Sequence, residues 1–412
     1  MDIQKHFFNS RAWNWKNDSV FSNIVAAGDQ VFISGQQTLD ETGGVLDLGD
    51  IAAQTRNVFE NMKQSLATVD LGLEDLVRLN TYYVFDGDDK DATAFWEDMT
   101  RVRLEYFPDP GPAATAVRVK GMPYQGQLIQ IEGVAVKGDS KRIRKRIMPK
   151  DSWDWSIAVP LSQGWKVGNR IFVGGQISAD KAGSPVHVGD LEAQTRNIYD
   201  FIGGVLSDSG ASFEDLLRVK ICFKYDSKDP DTGQAFVDRI MEVSKEYVRG
   251  PAPVVTAFSV DLLYPGLDLE LDAMAIVDPD TKIYDLSGNG GRYQPAAFSD
   301  GVSADGEIYV GGQTAIESDG SAMFPGDFLA QAHEVFKRLD QTLRQAEVSL
   351  EDIVKLNLFI VAEDEEVEHR FHEVCKAWAD LTPSSRPAMT PVRVHELPKS
   401  GLLFQADCVA IK

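Results

Sequence analysis

The first third of the chain alternates between hydrophobic positions at helical spacing and short apolar runs. Apolar residues at 51, 52, 58, 59, 62 and 66 predict a helix, and Asp50 is placed to cap it. The run 76–85, rich in Val, Leu and Tyr, predicts a strand, and 92–106 predicts a second helix that ends before a cluster of prolines. Further strands are predicted at 31–34, 115–119 and 128–136, so the order is strand pair, helix, strand, helix, strand, strand.

The same pattern returns twice more along the chain. Gly35-Gln36 recurs as Gly175-Gln176 and Gly312-Gln313, at offsets of 140 (175 − 35) and 137 (312 − 175). A glutamine in the first helix and a Glu-Asp-Leu or Glu-Asp-Ile triplet before the next strand keep these offsets. Landmarks in register over roughly 40 residues indicate fused copies of one domain, since solenoid repeats are much shorter. We therefore predict three domains, at residues 1–140, 141–280 and 281–412.

Two helices per copy can cover only one face of a sheet, so the other face must be buried elsewhere. Three sheets around a common axis would bury all three faces at once, as separate chains do in a homotrimer. We predict an α+β protein in which three sheets pack around a pseudo-threefold barrel with the helices outside. The chain is expected to be a monomeric pseudo-trimer or a weak homo-oligomer.

Charge and composition restrict the partners. The net charge of −22 argues against nucleic acid, because nucleic-acid binders usually carry a basic face. One basic run, at 141–146, is interpreted as a linker or a solvated edge, with a binding patch as the alternative. No apolar stretch approaches a membrane span and the N-terminus lacks a signal-peptide core, so we expect a cytoplasmic protein with no membrane partner. No phosphate-binding loop, zinc motif or dinucleotide fingerprint occurs, and we predict no cofactor and no metal.

Several short phrases together resemble the RidA/YjgF enamine/imine deaminase family. They are Ser-Gly-Gln closing a strand, Gln-Thr-Arg-Asn in the first helix, Glu-Asp-Leu-Val before a strand and Pro-Ala before the last hairpin. The closing strand resembles the family's at 131–136, 271–276 and 406–411, so the likeness covers nearly the whole chain. The resemblance implies chorismate-mutase-like domains with ligand pockets at the interfaces between them. It also implies a small-molecule substrate.

The resemblance implies an arginine after Pro-Ala, which holds the substrate carboxylate in deaminating members. This chain has Ala114, Val255 and Met389 at that place. Either the substrate is not the usual small imino acid, or its carboxylate is held elsewhere. Arg118 and Arg393 lie four residues on, some ~13 Å along the strand, where they could line a larger pocket or be solvated or ion-paired.

The family's water-positioning glutamate lies in the last strand. Only the second copy has a carboxylate there, Glu270, whereas the others have Gln130 and Gln405. Glutamine can orient a ligand but cannot accept a proton as a base. Glu270 is therefore the predicted catalytic residue. The alternative is that it is an ordinary residue of a strand whose side chains alternate between the two faces of the sheet. The acids two positions on, in all three copies, are interpreted as structural.

The Gly-Gln turns are predicted to bring main-chain amides to the ligand, with Gly35, Gln36, Gly175, Gln176, Gly312 and Gln313 at the three pockets. Glycine permits that approach, although a tight turn or bulge would need it too. The family also lends an aromatic residue from its N-terminal segment to the pocket. Trp15 and Trp155 stand 20 residues before their Gly-Gln (35 − 15 and 175 − 155), and the third copy offers Tyr293. Their alternative role is in the core.

These residues leave two main functions open. The first is an enzyme that hydrolyses or tautomerises an enamine, imine or related C–N compound, with Glu270 activating water. The second is a non-catalytic binding or scaffold protein of the same fold, favoured by the missing arginine. A third, RNA cleavage, is opposed by the net charge.

Overall fold

A computed structural model describes residues 5–8, 20–40, 42–138, 144–155, 157–224, 232–278, 280–286 and 298–412. Within these ranges, each third of the chain forms two α-helices and six β-strands in the same order. In the first domain these are β1 (Lys5–Phe8), β2 (Ile24–Ala27), β3 (Gln30–Gln36), α1 (Ile51–Ala67), β4 (Leu76–Tyr83), α2 (Asp89–Tyr106), β5 (Ala113–Arg118) and β6 (Ile129–Val136).

The second and third domains repeat this order. The second contains β7 (Arg144–Ile147), β8 (Gly164–Val167), β9 (Arg170–Ile177), α3 (Leu191–Asp208), β10 (Leu216–Phe223), α4 (Thr232–Tyr247), β11 (Val254–Ser259) and β12 (Leu269–Ile276). The third contains β13 (Lys282–Tyr284), β14 (Gly301–Ala304), β15 (Glu307–Thr314), α5 (Phe328–Gln345), β16 (Ile353–Ile360), α6 (Val367–Leu381), β17 (Ala388–Arg393) and β18 (Phe404–Ile411).

Each domain holds one six-stranded sheet, with the order β1-β2-β3-β6-β4-β5 in the first. The edge pair β4 and β5 is parallel, so the chain must cross over between them, and α2 makes that crossover. Asp50 caps α1 by accepting a hydrogen bond from the Ala53 backbone N–H, as predicted. Val58, Phe59 and Met62 on this helix are fully buried against the sheet.

The basic run at 141–146 is in part a strand rather than a linker. Arg144 to Arg146 lie in β7, which pairs with β8 at the edge of the second sheet. The Arg144 guanidinium lies 5.0 Å from the Trp165 ring centre and donates to the Leu76 carbonyl of the first domain. The linker part of the interpretation does not hold for residues 144–146, which pair as a strand, whereas the solvated edge agrees with their place on the edge strand, where Lys145 is exposed.

The three domains contact one another in cyclic order. Strand β5 contacts β9, β11 contacts β15, and β17 contacts β3. Paired backbone hydrogen bonds join Arg118 to Asp261 and Arg393 to Gly121, while residues 395 and 396 bond to Ser259. An apolar cluster shared by all domains lies behind these strands, with Phe32, Phe172 and Tyr309 at equivalent positions.

The α+β class and the three tandem domains are confirmed. Over the described ranges the sheets stay separate and do not form one closed hydrogen-bonded barrel, because only isolated bridges join strands of different domains. The pseudo-threefold symmetry of the packing stays a prediction. Within the same ranges, no helix is long and apolar enough to cross a membrane.

Candidate active site

Each Gly-Gln pair lies within a strand, in β3, β9 or β15, rather than in a turn, and each glycine lies against a side chain of the closing strand. A Cβ atom on Gly175 would lie 1.9 Å from Glu270 Oε1, and one on Gly35 would lie 1.9 Å from Gln130 Nε2. At Gly312 the same atom would lie 2.7 Å from Gln405 Nε2. The strand register also shifts beside Gly175, between Leu271 and Ala273. A side chain at these glycines would displace the closing-strand Glu or Gln, and the glycines also sit at a bulge.

The glutamines of the Gly-Gln pairs are buried and bonded within their own domains. Gln176 donates to Gln163 Oε1 at 2.7 Å and accepts from the Trp153 indole at 3.2 Å. Gln36 donates to the Ser34 carbonyl at 3.1 Å. Gln313 donates to Asp300 Oδ1 at 3.3 Å. These amides fix the Gly-Gln pair and the segment that precedes it.

Glu270 lies at the junction between the first and second domains, which we call the first–second junction. Its side chain is 7 % exposed, and the backbone N–H of Ala116 from the first domain hydrogen-bonds to its carboxylate. Burial, with the nearby Asp272 carboxylate, raises the pKa of Glu270 to about 8, while Arg78 opposes the shift. At neutral pH the group is therefore mostly a neutral carboxylic acid that can donate a proton.

The equivalent glutamines lie at the other two junctions. Gln130 is fully buried and accepts from the Gln37 amide at 3.1 Å. Gln405 is 3 % exposed, and its Oε1 has no hydrogen-bond partner. Neither amide titrates, so the three junctions share a backbone frame and differ in acid chemistry.

Strands β5, β11 and β17 carry no cation at the position where the family has its arginine. Ala114, Val255 and Met389 present apolar side chains there. Arg118 pairs with Asp89 at 2.5 Å and with Asp261 at 3.3 Å. Arg393 pairs with Asp364 and donates to the Ala362 carbonyl. Both arginines are thus ion-paired at the strand ends, and their charge is already compensated.

Only one of the three predicted aromatic residues can be placed. Trp155 is half-buried, and its ring centre lies 5.0 Å from that of Trp153. Trp153 in turn donates to Gln176, so these two tryptophans connect to the Gly-Gln pair of the second domain. Trp15 and Tyr293 lie outside the described residues.

A cavity of about 120 Å³ lies at the second–third junction. Val255 and Ala257 of β11 line one side, and Gly312 and Gln405 of the third domain line the other. Arg338 of α5 also lines it and is 8 % exposed. Its Nε pairs with Glu334 on the same helix at 3.0 Å, whereas its Nη1 has no hydrogen-bond partner. Sequence reasoning missed Arg338, because a lone arginine on an amphipathic helix carries no motif.

The acids of the closing strands have buried partners across the junctions. Asp272 lies 2.6 Å from Arg78 of the first domain. Glu132 lies 2.6 Å from Lys355 of the third domain. Asp407 accepts from Thr256 of the second domain at 2.8 Å. Their structural interpretation agrees with these contacts.

Comparisons with known proteins agree with this architecture. The chain matches the family described as Endoribonuclease L-PSP at residues 16–137, 155–277 and 292–412. It is 37 % identical over 117 residues to a RutC family protein of Pyrococcus horikoshii, covering 28 % of this chain and 86 % of that protein. It is 38 % identical over 109 residues to the 3-aminoacrylate deaminase RutC of Acinetobacter baylyi, covering 26 % and 80 %.

One solved structure resembles the whole chain rather than a single domain. A chorismatase crystal structure superposes with a TM-score of 0.52 at 11 % identity, covering 83 % of this chain and 95 % of that one. Identity this low shows a shared fold alone.

Proposed function

Because this chain belongs to the RidA/YjgF family, whose Endoribonuclease L-PSP description matches all three domains, we propose that it is an enamine/imine deaminase-type hydrolase with one catalytic junction. Glu270 carries the proposal, as a buried acid whose pKa is raised to about 8 at the first–second junction. The similarity to a 3-aminoacrylate deaminase supports the reaction class.

The chemistry needs a proton donor that can also accept a proton. Glu270 would donate its proton to the β-carbon of an enamine, which converts the C=C–NH₂ unit into an iminium ion. Water then adds to the iminium carbon, and the Glu270 carboxylate accepts the proton that the water loses. The resulting carbinolamine expels ammonia and leaves a carbonyl, so enamine plus water gives carbonyl compound plus ammonia. A pKa near the working pH suits both steps.

The apolar residue at the family's arginine position limits the substrate. Ala114 gives no cation for a carboxylate at the usual place, and Arg118 is already paired with two aspartates. We propose a substrate that is larger than a simple imino acid or carries no carboxylate at that position. The Ala116 N–H, which bonds to Glu270, would hold the acid in place during proton transfer.

Ammonia release from a panel of enamines and cyclic imines tests this function. We expect Glu270→Gln to lower kcat/KM by roughly 10²- to 10⁴-fold, because the amide cannot transfer the proton. Wild-type activity should fall as pH rises above about 8, where free Glu270 loses its proton. Glu192→Gln makes the same change in an exposed ion pair on α3 and should leave activity unchanged. Full activity in Glu270→Gln would remove Glu270 from the mechanism.

A second function, ligand binding without turnover, is favoured at the second–third junction. The cavity there has Gln405 where Glu270 would stand, so it lacks the acid, and it has an apolar wall with Arg338 at its edge. Arg338 already pairs with Glu334 through Nε, but the Nη1 N–H that remains without a partner could donate to one oxygen of a small carboxylate with an apolar body. Calorimetric titration with isobutyrate should show binding, whereas isobutyramide, of the same shape, should bind at least tenfold more weakly.

Variants separate this binding from the catalysis at Glu270. Arg338→Met should abolish the preference for isobutyrate over the amide, and Val255→Phe should fill the cavity from the facing wall. Glu270→Gln should leave isobutyrate binding intact. Equal affinity for acid and amide in the wild type would contradict the anion site. The family description names an endoribonuclease, but the net charge of −22 opposes RNA as a substrate here.

A further inference from the structure

A second cavity, of about 40 Å³, lies where the three sheets meet, and we call it the central chamber. All three domains contribute to its lining at equivalent positions. Cations come from β4, β10 and β16, and aromatic rings come from β3, β9 and β15. These six residues are Arg78, Arg218, Lys355, Phe32, Phe172 and Tyr309.

The charged groups around the chamber do not balance. Four cations face one another across the domains, and each interacts with at least one of the carboxylates Glu132, Asp272 and Asp407. The formal charge of the cluster is therefore +1 (4 − 3). The three carboxylates are at most 4 % exposed. The four cations are Arg78, Arg218, Lys220 and Lys355, and the most exposed of them, Arg218, has a side chain that is 14 % exposed.

Three of the four cations are fully engaged by protein groups. Arg78 pairs with Asp272 at 2.6 Å and donates to Asn80 and Thr115. Lys355 pairs with Glu132 at 2.6 Å, and Lys220 donates to the Tyr82 hydroxyl at 3.0 Å.

Arg218 differs from the other three cations. Its nearest carboxylate oxygen, Asp272 Oδ1, lies 3.6 Å from Nη2, and its Nε is buried with no hydrogen-bond partner. Asp272 is also shared, because its other oxygen is taken by Arg78. A buried guanidinium N–H without a hydrogen bond is costly unless another group accepts from it.

We propose that the central chamber binds one small monovalent anion, of the size of chloride or formate, against the Arg218 guanidinium. A water molecule could accept a hydrogen bond from Arg218 but would leave the formal charge of the cluster at +1. A volume of about 40 Å³ exceeds the ~10–15 Å³ that one water needs and suits one such ion. The anion would also screen the repulsion between Arg218 and Arg78, which come from different domains. It thereby stabilises the packing of the first domain against the second.

Thermal unfolding of the full chain at constant ionic strength tests the proposal, with sodium gluconate replaced stepwise by sodium chloride. Binding to the folded state alone should raise Tm by about 2 °C for each tenfold rise in chloride beyond saturation. Arg218→Met should remove this dependence. Arg196→Met removes one cation from an exposed pair of the same domain, so it should respond to chloride as the wild type does.

Diffraction gives a second readout that needs no variant. Crystals of the wild-type chain soaked in bromide should show an anomalous peak in contact with Arg218, and formate or nitrate should displace it. If Arg218→Met does not fold, this peak decides the question. Equal chloride responses of wild type and Arg218→Met, or a chamber without a bromide peak, would overturn the proposal.

Discussion

Glu270 and Glu132 are glutamates on equivalent closing strands, both at most 7 % exposed, yet their acidities are shifted in opposite directions. Burial on its own would raise the pKa of Glu132, but Lys355 and Lys220 hold it well below its usual range. Burial and Asp272 raise the pKa of Glu270 to about 8. Cations from the neighbouring domains therefore keep Glu132 a charged anchor, whereas burial and Asp272 of its own strand make Glu270 a proton donor.

The largest contrast should appear in stability. Glu132→Gln leaves the Lys355 and Lys220 ammonium groups buried without their common carboxylate. We expect it to lower the free energy of unfolding by about 3–5 kcal/mol at pH 7, measured by urea denaturation. Glu270→Gln is the matched control at similar burial, and it should cost far less because Glu270 is already mostly neutral. Equal losses in both variants would erase the distinction between the two acids.

The pH dependence of stability should show the second largest effect. The folded-state pKa of Glu270 lies above its ordinary value of 4.5, so the folded chain binds the extra proton between pH 4.5 and about 8. Wild-type stability should fall through this window as pH rises, by on the order of a few kcal/mol relative to Glu270→Gln. Unfolding curves of both proteins from pH 5 to 9 measure the difference. A constant difference across this range would mean that Glu270 is not shifted.

A smaller change should move the acidity of Glu270 itself. Asp272→Asn removes a negative charge that raises the pKa of Glu270 and leaves the charge of Arg78, which lowers it. We expect the alkaline limb of the activity profile to move to lower pH, by less than about one unit. Glu192→Gln, on the outer face of α3, serves as the control and should leave the profile in place. A shift to higher pH would mean that Asp272 does not act on Glu270 in this way.

The smallest effect is expected at the surface. Arg196 and Glu246 pair at 2.7 Å, but both side chains are nearly half exposed. Arg196→Met should change the free energy of unfolding by less than about 1 kcal/mol, again by urea denaturation. A loss of unfolding free energy comparable to that of Glu132→Gln would show that exposed ion pairs stabilise this protein as much as buried ones.

The sequence predicted the repeated frame well, because that frame depends on local patterns. The helix at 51–66 and its Asp50 cap follow from apolar spacing and a cap residue within one segment. The contact between Gly175 and Glu270 joins residues nearly 100 positions apart in the sequence. Only comparison of the three copies suggested that these two residues belong to one site. Arg338 and Arg218 could not be recognised, since the cavities that they line are completed by residues of other domains. The pairing of charges between domains produces no repeating pattern in the sequence from which it could be predicted.

The cyclic order of contacts has a consequence for pieces of the chain. Each domain offers two different contact surfaces, one at a strand like β5 and one at a strand like β3, and removing the third domain uncovers β11 and β3 together. These surfaces are complementary in kind, so we expect a two-domain fragment to dock head to tail on another copy of itself. Two-domain fragments cannot close a ring that contains three domains. We therefore expect such fragments to form open assemblies of mixed length. Covalent linkage of three domains is the shortest arrangement that ends this growth within one molecule.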